Sequence, residues 1–319
     1  MSHDHKYWSC FHKVTFTLLA GWVALSGMST PAYAEPAVDV PPASPAMKRA
    51  GYSLPWLMRP AIAPDLLRLD SAIAFRDGGS TQAPTLTGGL RPIGSLPTLG
   101  FYGRVAVVHD SQDNQPSGTI VSNPLLFALF TPEIASSLRL PVFFGVTAPV
   151  GGGGGNTPEL SSRRASLAGI YGRQAMDNAL FATNYMTTTA GVGLAWVHDG
   201  WTVQGEVTLL ELIRARGSNI DKDKNRTNFT SGVHLGYQVI PWVTLSLETH
   251  YQRWLSTPAP VQKDASARDA LTLGGGLRFN VPVSPSVLMR PGMAYFHPLD
   301  DPMSKGKYKI MQVDLPVTF

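Results

Sequence analysis

Apolar and polar side chains alternate with a period of two along most of the chain, from about Leu66 to the C-terminus. In the final stretch, Lys307 to Phe319, the odd positions are mainly apolar and the even positions are mainly polar. Successive side chains of a β-strand point to opposite faces, so each such run predicts a strand with one apolar and one polar face. The same alternation occurs at 67–75, 138–147, 201–209, 228–239 and 243–252.

The connections between these runs alternate in length. Tight turns are predicted at 131–133, 198–200, 240–241 and 281–285, and long polar loops at 110–118, 149–183, 215–226, 256–267 and 298–306. Short periplasmic turns and long extracellular loops are typical of an outer-membrane barrel. Counting back from Phe319 predicts strands that begin near 307, 286, 268, 242, 228, 201, 184, 136, 119 and 98.

A further hairpin, 66–76 and 83–91, brings the number of strands to about twelve, with ten to fourteen left open. The predicted fold class is therefore all-β, an antiparallel transmembrane β-barrel over residues 66–319. A soluble β-sandwich is the alternative, because half-buried strands also alternate. Runs of about 12 to 15 residues are long for globular strands and favour the barrel. So do aromatic residues near predicted strand ends, which would form interfacial girdles: Tyr185, Trp201, Trp242, Tyr251, Trp254, Tyr295, Phe296 and Phe319.

The N-terminus has the pattern of a Sec-type signal peptide, residues 1–34. Basic residues Lys6 and Lys13 precede an apolar run, Val14 to Met28, and a small-x-small site ends at Ala34. We expect cleavage after Ala34 and export to the bacterial outer membrane; an uncleaved anchor is the alternative. Cys10 is the only cysteine and precedes the apolar run. The mature chain would therefore have neither disulfides nor a cysteine nucleophile.

Composition excludes other classes. The net charge of the 319 residues is +4 and only 15% of them are charged, so no basic stripe for nucleic acid is present. The mean hydropathy is close to zero, far below that of a polytopic helical membrane protein.

The C-terminal strand ending in Phe319 resembles the signal by which the bacterial barrel assembly machinery recognises outer-membrane proteins. The chain also resembles the outer-membrane channel family grouped with the meta-cleavage pathway of phenol degradation, on the Pro149-Val150-Gly151 step and the barrel pattern of 66–319. The resemblance implies passive diffusion of small solutes, including small hydrophobic or aromatic compounds. It also implies outer-membrane lipid, lipopolysaccharide and the assembly machinery as partners.

If the apolar face meets lipid, the polar face lines the lumen. The predicted lumen-lining residues are Arg68, Asp70, Arg104, Arg139, Glu206, His234, Glu248, His250, Arg278, Arg290 and Asp314. Both signs of charge are present, so no strong ion selectivity is expected.

Antiparallel register across the turn at Ile240-Pro241 predicts that His234 lies opposite Glu248 and Gln238 opposite Thr244; Arg290 is expected opposite Asp314. A histidine beside a carboxylate is either a general base or a hydrogen bond that stiffens the wall.

Two other functions remain open, a closed structural or recognition barrel and an outer-membrane hydrolase resembling the omptin type. The hydrolase would use histidine and aspartate at the outer rim, at His109-Asp110 or at His297 with Asp300 and Asp301. No catalytic residue is assigned, and no cofactor or metal is expected. Lysines offset the nearest candidate calcium ligands in Asp221-Lys222-Asp223-Lys224.

Two segments are candidate obstructions of the lumen. Loop 149–183 begins with the glycine run Gly151–Gly155 and continues into a helix-compatible stretch from Pro158, which we expect to narrow the outer mouth. Segment 35–65 is too rich in proline for a spanning strand, so it is predicted to be a periplasmic leader. Its apolar part, Leu54–Met58, is hypothesised to form a small plug at the inner end of the lumen.

Overall fold

A computed structural model describes residues 51–92 and 98–319, which form a closed antiparallel β-barrel of twelve strands. The predicted fold class is thereby confirmed. The expected signal peptide, 1–34, and the first part of the proline-rich segment, 35–50, lie outside the described residues. None of the helices in the described part of the chain combines the length and apolar character needed to cross a membrane.

The sheet consists of strand segments separated by local breaks. They are β1 (Leu66–Arg76), β2 (Gly79–Leu90), β3 (Leu99–Gln112), β4 (Gln115–Val121), β5 (Leu125–Phe130), β6 (Glu133–Ala135), β7 (Leu138–Arg139), β8 (Val142–Thr147), β9 (Tyr185–His198), β10 (Trp201–Arg214), β11 (Asn225–Ile240), β12 (Val243–Trp254), β13 (Asp269–Phe279), β14 (Val281–Pro282), β15 (Leu288–Met289), β16 (Gly292–Pro298) and β17 (Lys309–Thr318). Segments β4 and β5 are two parts of one barrel strand, since both pair with β3. Pairing of β1 with β17, from Leu66 opposite Thr318 to Phe75 opposite Lys309, closes the barrel.

The two rims differ from the expected division into short and long connections. We call the end where β1 begins and β17 ends the terminal rim, and the opposite end the loop rim. At the terminal rim, the turns predicted at 131–133 and 281–285 are wrong, because small hairpins, β6–β7 and β14–β15, extend these connections. At the loop rim, the long loop predicted at 110–118 is wrong, because β3 and β4 continue to a tight turn at Asp113-Asn114, where Asn114 has φ 60°. Asparagine tolerates this left-handed conformation.

The alternation places apolar side chains on the outside of the barrel and polar side chains inside. Leu126 and Phe144 on the outer face are 64% and 59% exposed. Trp201, Trp242 and Tyr295 also remain exposed, as a lipid-facing girdle requires.

Two members of the predicted girdle are placed wrongly. Tyr185 and Phe296 are buried inside the barrel, because they stand at inward-facing positions of their strands.

Two chain segments occupy the interior. The N-terminal insert, Gly51–Pro64, precedes β1, and the loop insert, Gly151–Thr183, connects β8 to β9. The loop insert contains two helices, α1 (Leu160–Gly172) and α2 (Asn178–Phe181). Trp56 of one insert and Ala175 of the other belong to the same buried apolar cluster. The barrel is therefore filled by its own chain.

Candidate functional site

Charged side chains that face the barrel interior form ion pairs between strands. Eight of the expected lumen residues are buried: Arg68, Asp70, Glu206, His234, Glu248, His250, Arg278 and Asp314. Asp314 on β17 accepts from Arg68 at 2.7 Å and pairs with Arg278 at 2.5 Å. Asp314 therefore joins two arginines of the barrel wall, Arg68 and Arg278.

Three other expected residues lie elsewhere. Arg104 is partly buried and pairs with Asp177 of the loop insert at 2.7 Å. Arg139 lies in the small hairpin at the terminal rim and pairs with Glu133 at 3.0 Å. The pairing of Arg290 with Asp314 is wrong: Gly292 lies opposite Asp314, because β16 begins only after Pro291 and the register is offset.

Trp56 anchors the N-terminal insert. Its ring is fully buried, and the indole N–H donates to Ser246 Oγ at 2.9 Å. The guanidinium of Arg278 lies 3.7 Å from the ring centroid in a cation–π contact. The Trp56 carbonyl accepts hydrogen bonds from Arg68 and Gln312. These contacts place Leu54–Met58 inside the barrel, and its role as a plug at the inner end of the lumen stays a hypothesis.

A second anchor lies three residues further along. The backbone N–H and the guanidinium of Arg59 both donate to Glu206, at 3.0 and 2.8 Å. Gln204 Nε2 donates to the Arg59 carbonyl at 2.7 Å, and the guanidinium also covers the ring of Phe143. Polar groups of the wall thus hold the backbone of the insert at two points.

Inward-facing glycines make room for the N-terminal insert. A Cβ at Gly236 would lie 2.1 Å from Ser53 Oγ, and one at Gly276 would lie 2.6 Å from the Trp56 ring. Neither distance is possible between real atoms. A side chain at Gly236 would therefore displace Ser53 of the insert, whereas one at Gly276 would also meet the Met293 carbonyl oxygen of the neighbouring strand at 2.4 Å. Sequence reasoning missed these positions, although glycine within a strand is a known sign of close approach by another segment.

We expect Gly236→Val to release the N-terminal insert. The added side chain would occupy the space of Ser53, so the segment around Trp56 should become accessible to protease. Chymotrypsin cleavage after Trp56, followed by mass spectrometry, measures this release. Gly205→Val is the matched control, because Gly205 on β10 has no atom within 4 Å of its Cβ position. Equal resistance of both variants would contradict the close packing.

The loop insert is held by buried charges in the other half of the barrel. Arg173 follows α1, is fully buried, pairs with Asp70 of β1 and lies 3.0 Å from Asp177. Arg164 of α1 pairs with Asp110 of β3 at 2.9 Å. The structure contains the helix expected in this loop, and these contacts hold the loop insert inside the barrel; that it narrows the outer mouth stays a prediction.

A hydrogen-bonded chain joins the two inserts through one carboxylate. Glu248 lies 3.0 Å from His234 and 2.5 Å from His250, and His250 lies 2.6 Å from Gln174 of the loop insert. Glu248 also accepts from the backbone N–H groups of Trp56 and Leu57, at 2.8 and 3.1 Å. The predicted register of His234 with Glu248 is confirmed.

Ser53, His234 and Glu248 can react with a solute only if the solute reaches their side chains. Ser53 Oγ lies 3.0 Å from His234 Nε2, while His234 Nδ1 lies 3.0 Å from Glu248. Serine, histidine and carboxylate in this order form the connectivity of a catalytic triad. All three side chains are sealed by the insert, and none of them lines the large cavity of the barrel. In this structure the arrangement anchors the insert.

The rim pairs expected of an omptin-type hydrolase do not form. His109 is exposed on the outer face and bonds to Thr119, whereas Asp110 faces inward and pairs with Arg76 and Arg164. His297 makes no hydrogen bond to either nearby aspartate within the described residues. Each aspartate has a different partner: Asp300 accepts a hydrogen bond from the Leu271 N–H, and Asp301 accepts one from the Ser304 hydroxyl.

Comparisons with known proteins support the fold and nothing finer. No family model matches the chain, and no curated protein matches it. Among solved structures, an outer membrane channel from Pseudomonas putida F1 is 10% identical, with 81% of this chain and 96% of that chain covered and a TM-score of 0.50.

Two porin structures are also similar in outline. A KdgM porin in complex with disordered oligogalacturonate is 10% identical, with 79% of this chain and 99% of that chain covered and a TM-score of 0.46. A NanC porin is 8% identical, with 79% and 98% covered and a TM-score of 0.45. The likeness to the Pseudomonas putida channel shows a shared fold, so the resemblance of this chain to outer-membrane β-barrel proteins is confirmed at the level of fold.

Proposed function

We propose that the chain is an outer-membrane channel for small solutes that is held closed by its two inserts. One observation carries the proposal: the N-terminal insert and the loop insert, which lie outside the strands, fill the bore that the side chains of the strands leave open. An eight-stranded barrel is just wide enough to be filled by its own side chains, whereas a wider barrel has a bore that can conduct once emptied. Twelve strands therefore leave room for a pore if the inserts move.

The contacts that hold the inserts suit a reversible closure. Glu206 and Glu248 hold backbone N–H groups of the N-terminal insert, and Asp70 holds Arg173 of the loop insert. Water can replace each of these partners when an insert withdraws, because carboxylates and guanidinium groups are well solvated in an open lumen.

The finer part of the proposal concerns location and solute. We place the chain in the bacterial outer membrane after export, with Phe319 as the assembly signal and lipid and lipopolysaccharide as its surroundings. Small hydrophobic or aromatic solutes are supported by the sequence resemblance and by apolar side chains at the terminal rim, among them Leu54, Ile62 and Val197.

Planar-bilayer recording of the refolded full chain tests the channel. We expect long closed periods with brief conducting steps, because both inserts must move before ions pass. Swelling of liposomes in sugars and in aromatic solutes of increasing size measures the solute range and should show a size limit. Verified insertion with no conducting step at any voltage would instead favour a closed structural or recognition barrel.

An interior serine hydrolase is the second candidate, favoured by the order Ser53, His234 and Glu248. Reaction would need the N-terminal insert to loosen, since Ser53 is buried. A fluorophosphonate probe tests it: labelling of the full chain that Ser53→Ala abolishes would favour the hydrolase. The channel proposal expects no labelling.

A further inference from the structure

A vestibule of about 1110 Å³ opens at the terminal rim below the N-terminal insert. Its walls come from the insert, the ends of several strands and the hairpin that contains β14 and β15. Apolar side chains make up part of the lining: Leu54, Ile62, Val197, Val287 and Leu288. This mixture of apolar and polar groups is typical of a cavity that takes an organic ligand, and the volume is slightly above the usual range of about 300–1,000 Å³.

Arg290 is the unusual residue of the vestibule. Its side chain lines the cavity, its Nε is buried, and that atom has no hydrogen-bond partner. Its guanidinium forms neither an ion pair nor a hydrogen bond with any residue of 51–92 and 98–319.

The two other arginines of the lining are already neutralised. Arg91 pairs with Asp65 at 2.9 Å, and Arg139 pairs with Glu133 at 3.0 Å. The hydrogen bonds from Arg91 lower the pKa of the Asp65 carboxyl below its usual value, so that pair stays ionised near neutral pH. Among the residues of 51–92 and 98–319 that line the vestibule, Arg290 therefore carries the unmatched positive charge.

The backbone keeps Arg290 in place. Its N–H donates to the Pro316 carbonyl of β17 at 2.8 Å, and the carbonyl of the following Pro291 accepts from the Phe279 N–H at 2.8 Å. A partly desolvated cation without a partner is unfavourable, and a bound anion would relieve that penalty. A planar guanidinium also matches the geometry of a carboxylate through two parallel hydrogen bonds.

We propose that the vestibule binds small organic acids, with Arg290 holding the carboxylate and the apolar wall holding an aliphatic or aromatic body. The proposal deepens the channel by naming a class of solute, and in that respect it rests on the proposed function. Binding to the closed barrel does not require conduction, so the two can be tested separately.

Equilibrium dialysis of radiolabelled benzoate against the full chain in detergent tests the site. We expect Arg290→Gln to weaken benzoate binding about 10- to 100-fold, the effect of removing a hydrogen bond to a charged group. Arg253→Gln is the control, because that arginine also has a carboxylate partner, Asp269 at 3.1 Å, but does not line the cavity; its affinity should stay close to that of the unaltered chain. Arg290→Lys keeps the charge and should retain part of the affinity.

Three results would overturn the proposal. They are equal binding of benzoate by the unaltered chain and Arg290→Gln, equal binding of benzoate and uncharged benzamide by the unaltered chain, and full competition by inorganic phosphate at the concentration at which benzoate saturates. The last result would indicate a site for any anion. Benzoate binding to a barrel that never conducts would keep the site and contradict the channel.

Discussion

A chain that starts at Asp65 and lacks Gly152–Asn178 is expected to form steady conducting steps in planar bilayers. This double deletion removes the N-terminal insert and the loop insert up to the start of α2, which is most of the chain that fills the barrel, and leaves the twelve strands and their hydrogen-bond ladders intact. The emptied bore would be lined by charged side chains such as Asp70, Glu206 and Glu248, which water can solvate. Single-channel recording beside the full chain measures the change, from brief steps to sustained ones.

The two single deletions serve as controls for the double deletion. The N-terminal insert contacts Thr202, Ser246 and Gln312 of the wall, whereas the loop insert contacts Asp70 and Asp110. Each insert thus closes a different part of the bore, so either single deletion should give smaller or rarer steps than the double deletion. A double deletion that inserts without conducting would contradict the assignment of the inserts as the obstruction.

The barrel could be predicted from the sequence because its strands obey a local rule. A period of two is visible within each strand, and the tight turn after Ile240 fixes the register that brings His234 opposite Glu248. The register of Arg290 with Asp314 was predicted wrongly, because the long connection from Pro298 to Lys309 does not fix the register of β16 and β17 as a tight turn does, and Gly292 lies opposite Asp314 instead. A shift of two residues changes the partners without changing the alternation.

The candidate site could be predicted only in part. The alternation along each strand identifies the inward-facing residues of the site. Their partners come from segments distant in sequence: Glu206 pairs with Arg59, and Asp70 pairs with Arg173. No local pattern relates such residues. The inward glycines, among them Gly236 and Gly276, are the sequence signal that indicates a filled bore.

Glu248→Gln is expected to lower the free energy of unfolding by about 3–5 kcal/mol, the usual effect of removing one partner from a buried charged network. Trp56 N–H donates to one carboxylate oxygen of Glu248, and Leu57 N–H donates to the other. Whichever way the glutamine amide turns, its NH₂ group meets a backbone N–H, so one donor is left buried without an acceptor. Urea unfolding in detergent, followed by the change in gel mobility, measures the loss.

The same substitution should also loosen the closure. His250 connects Glu248 to Gln174, so the altered side chain weakens the link to the loop insert as well as the hold on Trp56. We therefore expect more frequent conducting steps than in the unaltered chain. Glu211→Gln is the matched control, since Glu211 lies on β10 and accepts a hydrogen bond from Thr227 without contacting either insert. If both variants lose stability equally, or if Glu248→Gln conducts like the unaltered chain, Glu248 does not join the inserts to the wall.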